Sequence, residues 1–99
     1  MKLEQILKNF LDEQFRLKAF PTKQKMQNYA LHYLASKFDK ERLYTEKEVN
    51  ELLNHWHTFH DAALLRRELF DRGYLDRESN GSKYWMEAEQ PKFPEIENF

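Results

Sequence analysis

Apolar residues along this chain fall first at helical spacing and, near the end, in alternation. Leu3, Ile6, Leu7, Phe10, Leu11 and Phe15 recur at three- and four-residue steps, which places them on one face of a helix. Lys2, Glu4, Lys8, Asn9 and Asp12 take the opposite face. The residue before a proline avoids helical geometry, so this helix is expected to end before Phe20-Pro21. Residues 1–19 then read as an N-terminal amphipathic helix. Its stripe either packs on the core of the domain or forms the seam of a homodimer.

The next helix is expected to be capped by Thr22, with Pro21 just outside it. Between Lys23 and Phe38 apolar residues cover most of the circumference: Met26, Tyr29, Ala30, Leu31, Tyr33, Leu34, Ala35 and Phe38. Lys25, Asn28, His32 and Ser36 leave one polar stripe, on which His32 should face solvent. A helix so widely apolar is central and packed on two sides. Leu43-Tyr44 suits a short strand. Thr45 and Glu48 fit a capping box, and Val49, Leu52, Leu53 and Trp56 give the helix after it a buried stripe. A turn is expected at about Asn54 to His57. The following helix starts near Thr58 or Asp61, either able to cap it, and stops at Gly73, a left-handed terminating position.

Tyr74 to Met86 reads as a hairpin turning at Asn80-Gly81, the dipeptide that most readily supplies the two positive φ angles of a type I′ turn. That register sets Glu78 opposite Lys83 and puts Leu75, Tyr84 and Met86 on one face. The tail, residues 87–99, has two prolines and four Glu against one Lys. It is expected to be irregular, with Phe93, Ile96 and Phe99 available to dock. The expected fold is α+β, a winged helix-turn-helix at residues 20–86 with an N-terminal helix, a three-helix core and a C-terminal β-hairpin wing.

Composition narrows the function. Ninety-nine residues suit one domain with a modest core, and fifteen aromatics suggest that rings fill much of it. Sixteen Lys+Arg against seventeen Asp+Glu leave a net charge of −1, whereas a freestanding nucleic-acid domain is typically basic. Without cysteine there is no disulfide framework, thiolate zinc site or cysteine nucleophile. Charges every few positions in the first residues argue against a signal peptide or a spanning helix, so a soluble, cytoplasmic protein is expected.

Read in order, the blocks Phe20-Pro21, Lys23, Lys25, Tyr44-Thr45-Glu46-Lys47-Glu48-Val49-Asn50, Asp61, Leu65-Arg66-Arg67-Glu68-Leu69, Gly73-Tyr74-Leu75-Asp76-Arg77 and Gly81-Ser82-Lys83-Tyr84-Trp85 have family-like spacing. Over roughly residues 15 to 86 the chain resembles a bacterial family called domain of unknown function 2087. The resemblance implies a winged-helix domain with a role in transcriptional regulation. The chain departs from the family pattern at Ala62 and Leu64.

On the expected reading helix, Ala62, Leu65 and Leu69 must face the core, while Ala63, Leu64, Arg67 and Asp71 face outward. Arg67 is the residue suited to a major-groove base contact, with Leu64, His60 and Thr58 beside it. Arg66 is expected to pair with Glu68, Asp71 or a carboxylate on a neighbouring helix, and the same pairing is the alternative for Arg67. No acidic residue lies between Glu13 and Asp39, while Arg16, Lys18, Lys23, Lys25 and Lys37 give that segment +5. Lys23 and Lys25 fall in the first turn of a helix, where lysine opposes the helix dipole. An anionic partner is one reason for lysine there, and a solvated basic turn is the other. Arg16, Lys18, Lys23, Lys25, Arg77 and Lys83 are the phosphate-contact candidates. In the wing, Arg77 and Lys83 are offset by Asp76 and Glu78.

His55, His57 and His60 are metal candidates by residue type, but their spacing does not assure convergence; exposed turn histidines are expected, with no metal and no cofactor. Glycine only at positions 73 and 81 rules out a phosphate-cradling loop, and Ser36, Ser79 and Ser82 have no nucleophile setting. The chain is read as no enzyme. The function expected is a small DNA-binding bacterial regulator holding double-stranded DNA. The alternative is a winged-helix module that binds another protein and no DNA.

Overall fold

The computed structural model describes residues 3–92; the expected docking of Phe93, Ile96 and Phe99 lies outside the described residues. These residues form a small α+β unit of four helices and a C-terminal two-stranded antiparallel hairpin, a layout compatible with a winged helix.

The N-terminal segment departs from the helix expected through residue 19. Helix α1 spans only Leu3–Ile6, and a 3-10 turn follows at Lys8–Phe10. The chain then extends at Leu11 and doubles back, so that Leu11 and Leu17 form an antiparallel bridge. Asp12 supplies the physical reason. Its Oδ1 accepts from the N–H groups of Gln14 at 2.9 Å and Arg16 at 2.8 Å, and its Oδ2 from Arg16 Nε at 2.9 Å. A short acidic side chain that satisfies its own downstream amides offers the backbone an alternative to the helical ladder. Leu7, Leu11 and Leu17 are buried in the core, whereas Phe15 leaves the stripe and is 56% exposed.

Helix α2 spans Gln24–Ala35 and is capped at Lys23 with no side-chain bond, not at Thr22. Gln27 reaches back instead, its Nε2 donating to Pro21 O at 2.8 Å. Tyr29 to Leu31 and Tyr33 to Ala35 are buried, so this helix is central, as its wide apolar surface requires. Helix α3, Glu46–Trp56, has the expected capping box, Thr45 accepting from Glu48 N–H while Glu48 accepts from Thr45 N–H. It runs three residues into the stretch expected as turn and is closed by His57.

Helix α4, Ala62–Asp71, starts at Asp61, whose Oδ1 accepts from Leu64 N–H at 3.2 Å. At its end Gly73 has φ 85°; its N–H donates to Phe70 O and the next, from Tyr74, to Leu69 O. That pair of bonds is a Schellman ending, accompanied by burial of Tyr74 and Leu69.

Strands β1 (Leu75–Arg77) and β2 (Tyr84–Met86) pair in the expected register, Leu75 opposite Met86 and Arg77 opposite Tyr84. Tyr44 adds a bridge to Tyr84 on the other edge. The turn itself differs from type I′, because Asn80 does not take a positive φ and Gly81 does, at 74°. Gly81 N–H donates to Glu78 O, and Glu78 N–H to Lys83 O, which makes a four-residue loop, 79–82. Asn80 acts through its side chain, Oδ1 accepting from Ser82 N–H.

Leucines fill the centre: Leu7, Leu17, Leu31, Leu34, Leu53, Leu65, Leu69 and Leu75 are almost wholly enclosed. The aromatic contribution is tyrosine, since Tyr29, Tyr33, Tyr44, Tyr74 and Tyr84 are all buried. Four of them bring a hydroxyl to a polar neighbour at the core margin, as buried tyrosines usually do. His32, expected to face solvent, is half-buried. It packs edge-on against Tyr74 with centroids 4.9 Å apart, and Nε2 lies 3.0 Å from Lys92 O. Glu87–Lys92 cross this face without helix or strand.

Candidate nucleic-acid interface

The turn between α3 and α4 runs from His57 to Asp61 and is held by an imidazole. His57, expected to be exposed, is 4% exposed. Asp61 N–H donates to its Nε2 at 2.9 Å. Nδ1 therefore carries the hydrogen and donates to Leu53 O, 2.6 Å away. One neutral ring thus closes the C-terminus of α3 and holds the residue that caps α4. With both ring nitrogens engaged, His57 is not available as a metal ligand, and the His55, His57, His60 grouping does not converge. Among the described residues, no group of three His, Cys, Asp or Glu is placed to hold a metal.

The N-terminal hairpin is sewn to this turn. Leu17 N–H donates to Trp56 O at 2.8 Å and Thr58 N–H to Leu17 O at 2.9 Å, a parallel bridge between Leu17 and His57. Between hairpin and turn lies a cleft of about 650 Å³ lined by Arg16, Asn54, His57, Thr58 and His60. A neighbouring hollow of about 500 Å³ shares Arg16 and Asn54 and adds Gln14 and His55. Among the described residues, no carboxylate lines either space. Asp12 stands behind Arg16, taking its Nε–H, while Nη2 reaches Gln14 Oε1 at 3.2 Å. The bond from Arg16 N–H, with help from the guanidinium and Gln14 N–H, holds the Asp12 carboxyl below its usual range.

On α4, Ala63, Arg67 and Asp71 are exposed and Leu64 is half-buried, matching the outward face expected from the sequence. Arg67 takes part in no hydrogen bond or ion pair among the described residues. Arg66 is structural: Nη1 donates to Asn50 Oδ1 and Nη2 lies 3.8 Å from Glu46 Oε1, so its partners sit on α3, not at Glu68 or Asp71. Arg72 pairs with Glu68 at 2.8 Å and donates to Asn28 and Gln27 of α2.

The remaining cations differ in exposure and setting. Lys18, Lys23 and Lys83 are exposed, Lys25 is half-buried, and only Lys25 lies in the first turn of α2, because Lys23 is the cap. Arg77 lies over the Phe70 ring at 4.9 Å. Lys37 sits over Tyr33 and Trp56, 4.4 and 4.1 Å from their centroids. The +5 segment therefore mixes exposed lysines with Lys37, which is laid on two aromatic rings. The structure does bring Arg16 together with Thr58 and His60. Asn54 and Gln14, which join them, carry no signal in the sequence, because helical periodicity hides the fold-back that places Gln14 there.

The model of a bacterial family described as "Uncharacterized protein conserved in bacteria (DUF2087)" matches residues 16–86. The chain belongs to this family. The DUF2087 region opens at Arg16 and closes with β2, so it takes in Arg16, the turn, α4 and the hairpin but not the first strand of the N-terminal fold-back. No curated protein and no solved structure matches the chain. Among the described residues, no helix is long and apolar enough to cross a membrane.

Proposed function

We propose that this DUF2087 member is a non-catalytic winged-helix DNA-binding domain acting as a cytoplasmic bacterial transcriptional regulator. The observation that carries the reading is Arg67, exposed on the outer face of α4 and uncommitted to any partner among the described residues. It would read a base edge, since a guanidinium matches the acceptors of guanine in the major groove. Leu64 stands beside it for a thymine methyl, and Thr58 and His60 sit at the start of the same helix. Arg16, Lys18, Lys23, Lys25 and Lys83 would touch phosphates on either side. Arg77, laid on Phe70, has the weaker claim.

With a net charge of −1, affinity for duplex rests on a handful of phosphate contacts, each adding about 0.9 to its salt slope. A second copy would double them. The half-buried Leu3, Ile6 and Phe10 offer a surface for it, and light scattering reads the mass.

Fluorescence anisotropy of a labelled random duplex at low salt tests the reading. Saturable binding is expected within tens of micromolar protein, roughly the non-specific range. Arg67→Ala should weaken it severalfold, and Lys23→Ala should flatten the salt slope by about 0.9 for one lost phosphate contact. Absence of saturable binding sinks the proposal. The second reading, an adaptor for another protein, would then take its place; exposed Asp71 on the α4 face favours it.

A further inference from the structure

Among the described residues only two that are not glycine have positive φ, Phe15 at 62° and His60 at 56°. They belong to the two segments, hairpin and turn, that flank one space, although Phe15 itself lines neither hollow. His60 lines the cleft, and Phe15 sits between Gln14 and Arg16, which line the two adjoining hollows. The left-handed region is unfavourable for a side chain with a Cβ and free for glycine. Neither residue recovers that cost by packing, since Phe15 is 56% exposed and His60 is exposed as well. Strain of this kind concentrates where a side chain is held for a ligand.

The loop presenting Phe15 is tied at every turn. Asp12 holds the amides of Gln14 and Arg16, Phe15 N–H donates to Asp12 O, and Tyr33 Oη donates to Phe15 O. An exposed ring on so constrained a backbone is oriented before any partner arrives. Around the cleft each of these polar groups can donate: the Arg16 guanidinium hydrogens not used by Asp12 and Gln14, the Thr58 hydroxyl, the Asn54 amide and the His60 imidazole. That set, with no carboxylate in the lining, suits an oxyanion. The cleft also continues to the start of α4 through His60, one residue before its cap.

We propose that this cleft seats one backbone phosphate of duplex DNA, with the Phe15 ring against the adjoining sugar and His60, Thr58 and Arg16 donating to the phosphate oxygens. This assignment rests on the DNA-binding reading above and adds to it one contact residue, Phe15, and a reason for the strain. It places the N-terminal hairpin beside the reading helix as a second clamp on the strand that α4 enters.

The test uses glycine, which keeps the backbone and removes the contact. Wild type, Phe15→Gly, His60→Gly and Arg67→Ala are compared by thermal melting and by anisotropy on random duplex at low salt. Phe15→Gly and His60→Gly should melt at or above the wild-type temperature and yet bind about tenfold more weakly, the scale of one lost contact. A purely structural role cannot produce that combination. If both glycine variants bind like wild type while Arg67→Ala weakens binding, the cleft assignment falls and the DNA reading stands. Lower melting temperatures for both would mean that the side chains serve the fold, which overturns the assignment too. If wild type binds no duplex, both readings fall together.

Discussion

Two hairpins flank the helical core, and both close an i to i+3 turn on a left-handed residue, the N-terminal loop with three residues and the C-terminal one with four. In the C-terminal one the N–H of Gly81 closes on Glu78 O, and Gly81 takes φ 74°. In the N-terminal one the N–H of Phe15 closes on Asp12 O, and Phe15 takes φ 62°. Each has an Asx contact two residues along, Asn80 to Ser82 and Asp12 to Gln14. The backbone task is alike, but glycine performs it without strain at one end and a phenylalanine performs it against its preference at the other. What forces Phe15 into place is the Asp12 network and the Tyr33 hydroxyl. Left-handed geometry can be imposed by hydrogen bonds, and it then marks a side chain retained for something besides the turn.

The largest test of the comparison removes what anchors each hairpin. Leu17 is fully buried and Leu75 nearly so, and Leu→Ala in such settings costs about 3 kcal/mol. Both variants should lose about that much in urea denaturation. Only Leu17→Ala should also speed amide exchange at Thr58, whose N–H is bonded to Leu17 O; unchanged exchange there would break the link between hairpin and turn. Next come the turn residues, with opposite signs. Gly81→Ala should destabilise by about 1 kcal/mol. Its Cβ would meet only the flexible Arg77 Nη1, at 3.2 Å, so the strain is in φ. Phe15→Gly should instead stabilise, by at most about 1 kcal/mol, because relief of strain is partly offset by a freer unfolded chain. Equal signs in the denaturation midpoints would dissolve the contrast.

The smallest effects are in pH. Hydrogen bonds depress the Asp12 carboxyl below its ordinary value of 3.8. The unfolded chain therefore takes the proton first as pH falls, and the stability Asp12 contributes is present above that value and lost as pH drops through the folded one. Glu48, lowered first by Thr45 N–H, contributes to the same acid limb, so Asp12→Asn should remove part of it. At the base of the other hairpin, burial pushes the Tyr74 hydroxyl from 10.0 up to about 12. Its contribution is full below pH 10 and is lost as pH rises toward 12, because the unfolded chain ionises first. Melting temperature against pH should show both limbs, and Tyr74→Phe should flatten the alkaline one.

The C-terminal half was legible because each signal there is local. Thr45 and Glu48 cap one helix, Asp61 starts the next, and Gly73 ends it in a left-handed residue. Alternation from Leu75 to Met86 sets the strand register. Asn80-Gly81 located the turn but not its type, since a four-residue loop lets Asn80 use its side chain while Gly81 alone turns left-handed. The N-terminal half misleads for the same reason. Leu3 to Phe15 has helical spacing, and nothing in that spacing shows that Leu11 and Leu17 pair across a turn or that Asp12 will outbid the helical ladder for Gln14 and Arg16. His57 reads as an exposed turn histidine because its two partners, Leu53 O and Asp61 N–H, are backbone groups and leave no mark in residue type. Arg67 was legible from its helical angle alone. The company Arg16 keeps with Thr58 and His60 depends on the fold-back and was not.

The Leu11–Leu17 bridge separates two boundaries that would otherwise be taken as one. The family match opens at Arg16, midway through the hairpin, while the described part of the folded unit already includes α1, which begins thirteen residues earlier. A protein trimmed to the shared region would keep Leu17 and its hold on Trp56 and Thr58, but would lose the strand on its other side and the two leucines, Leu7 and Leu11, that close the core there. What is inherited in common is thus an open vessel in this chain, and the stopper is cut from sequence outside it.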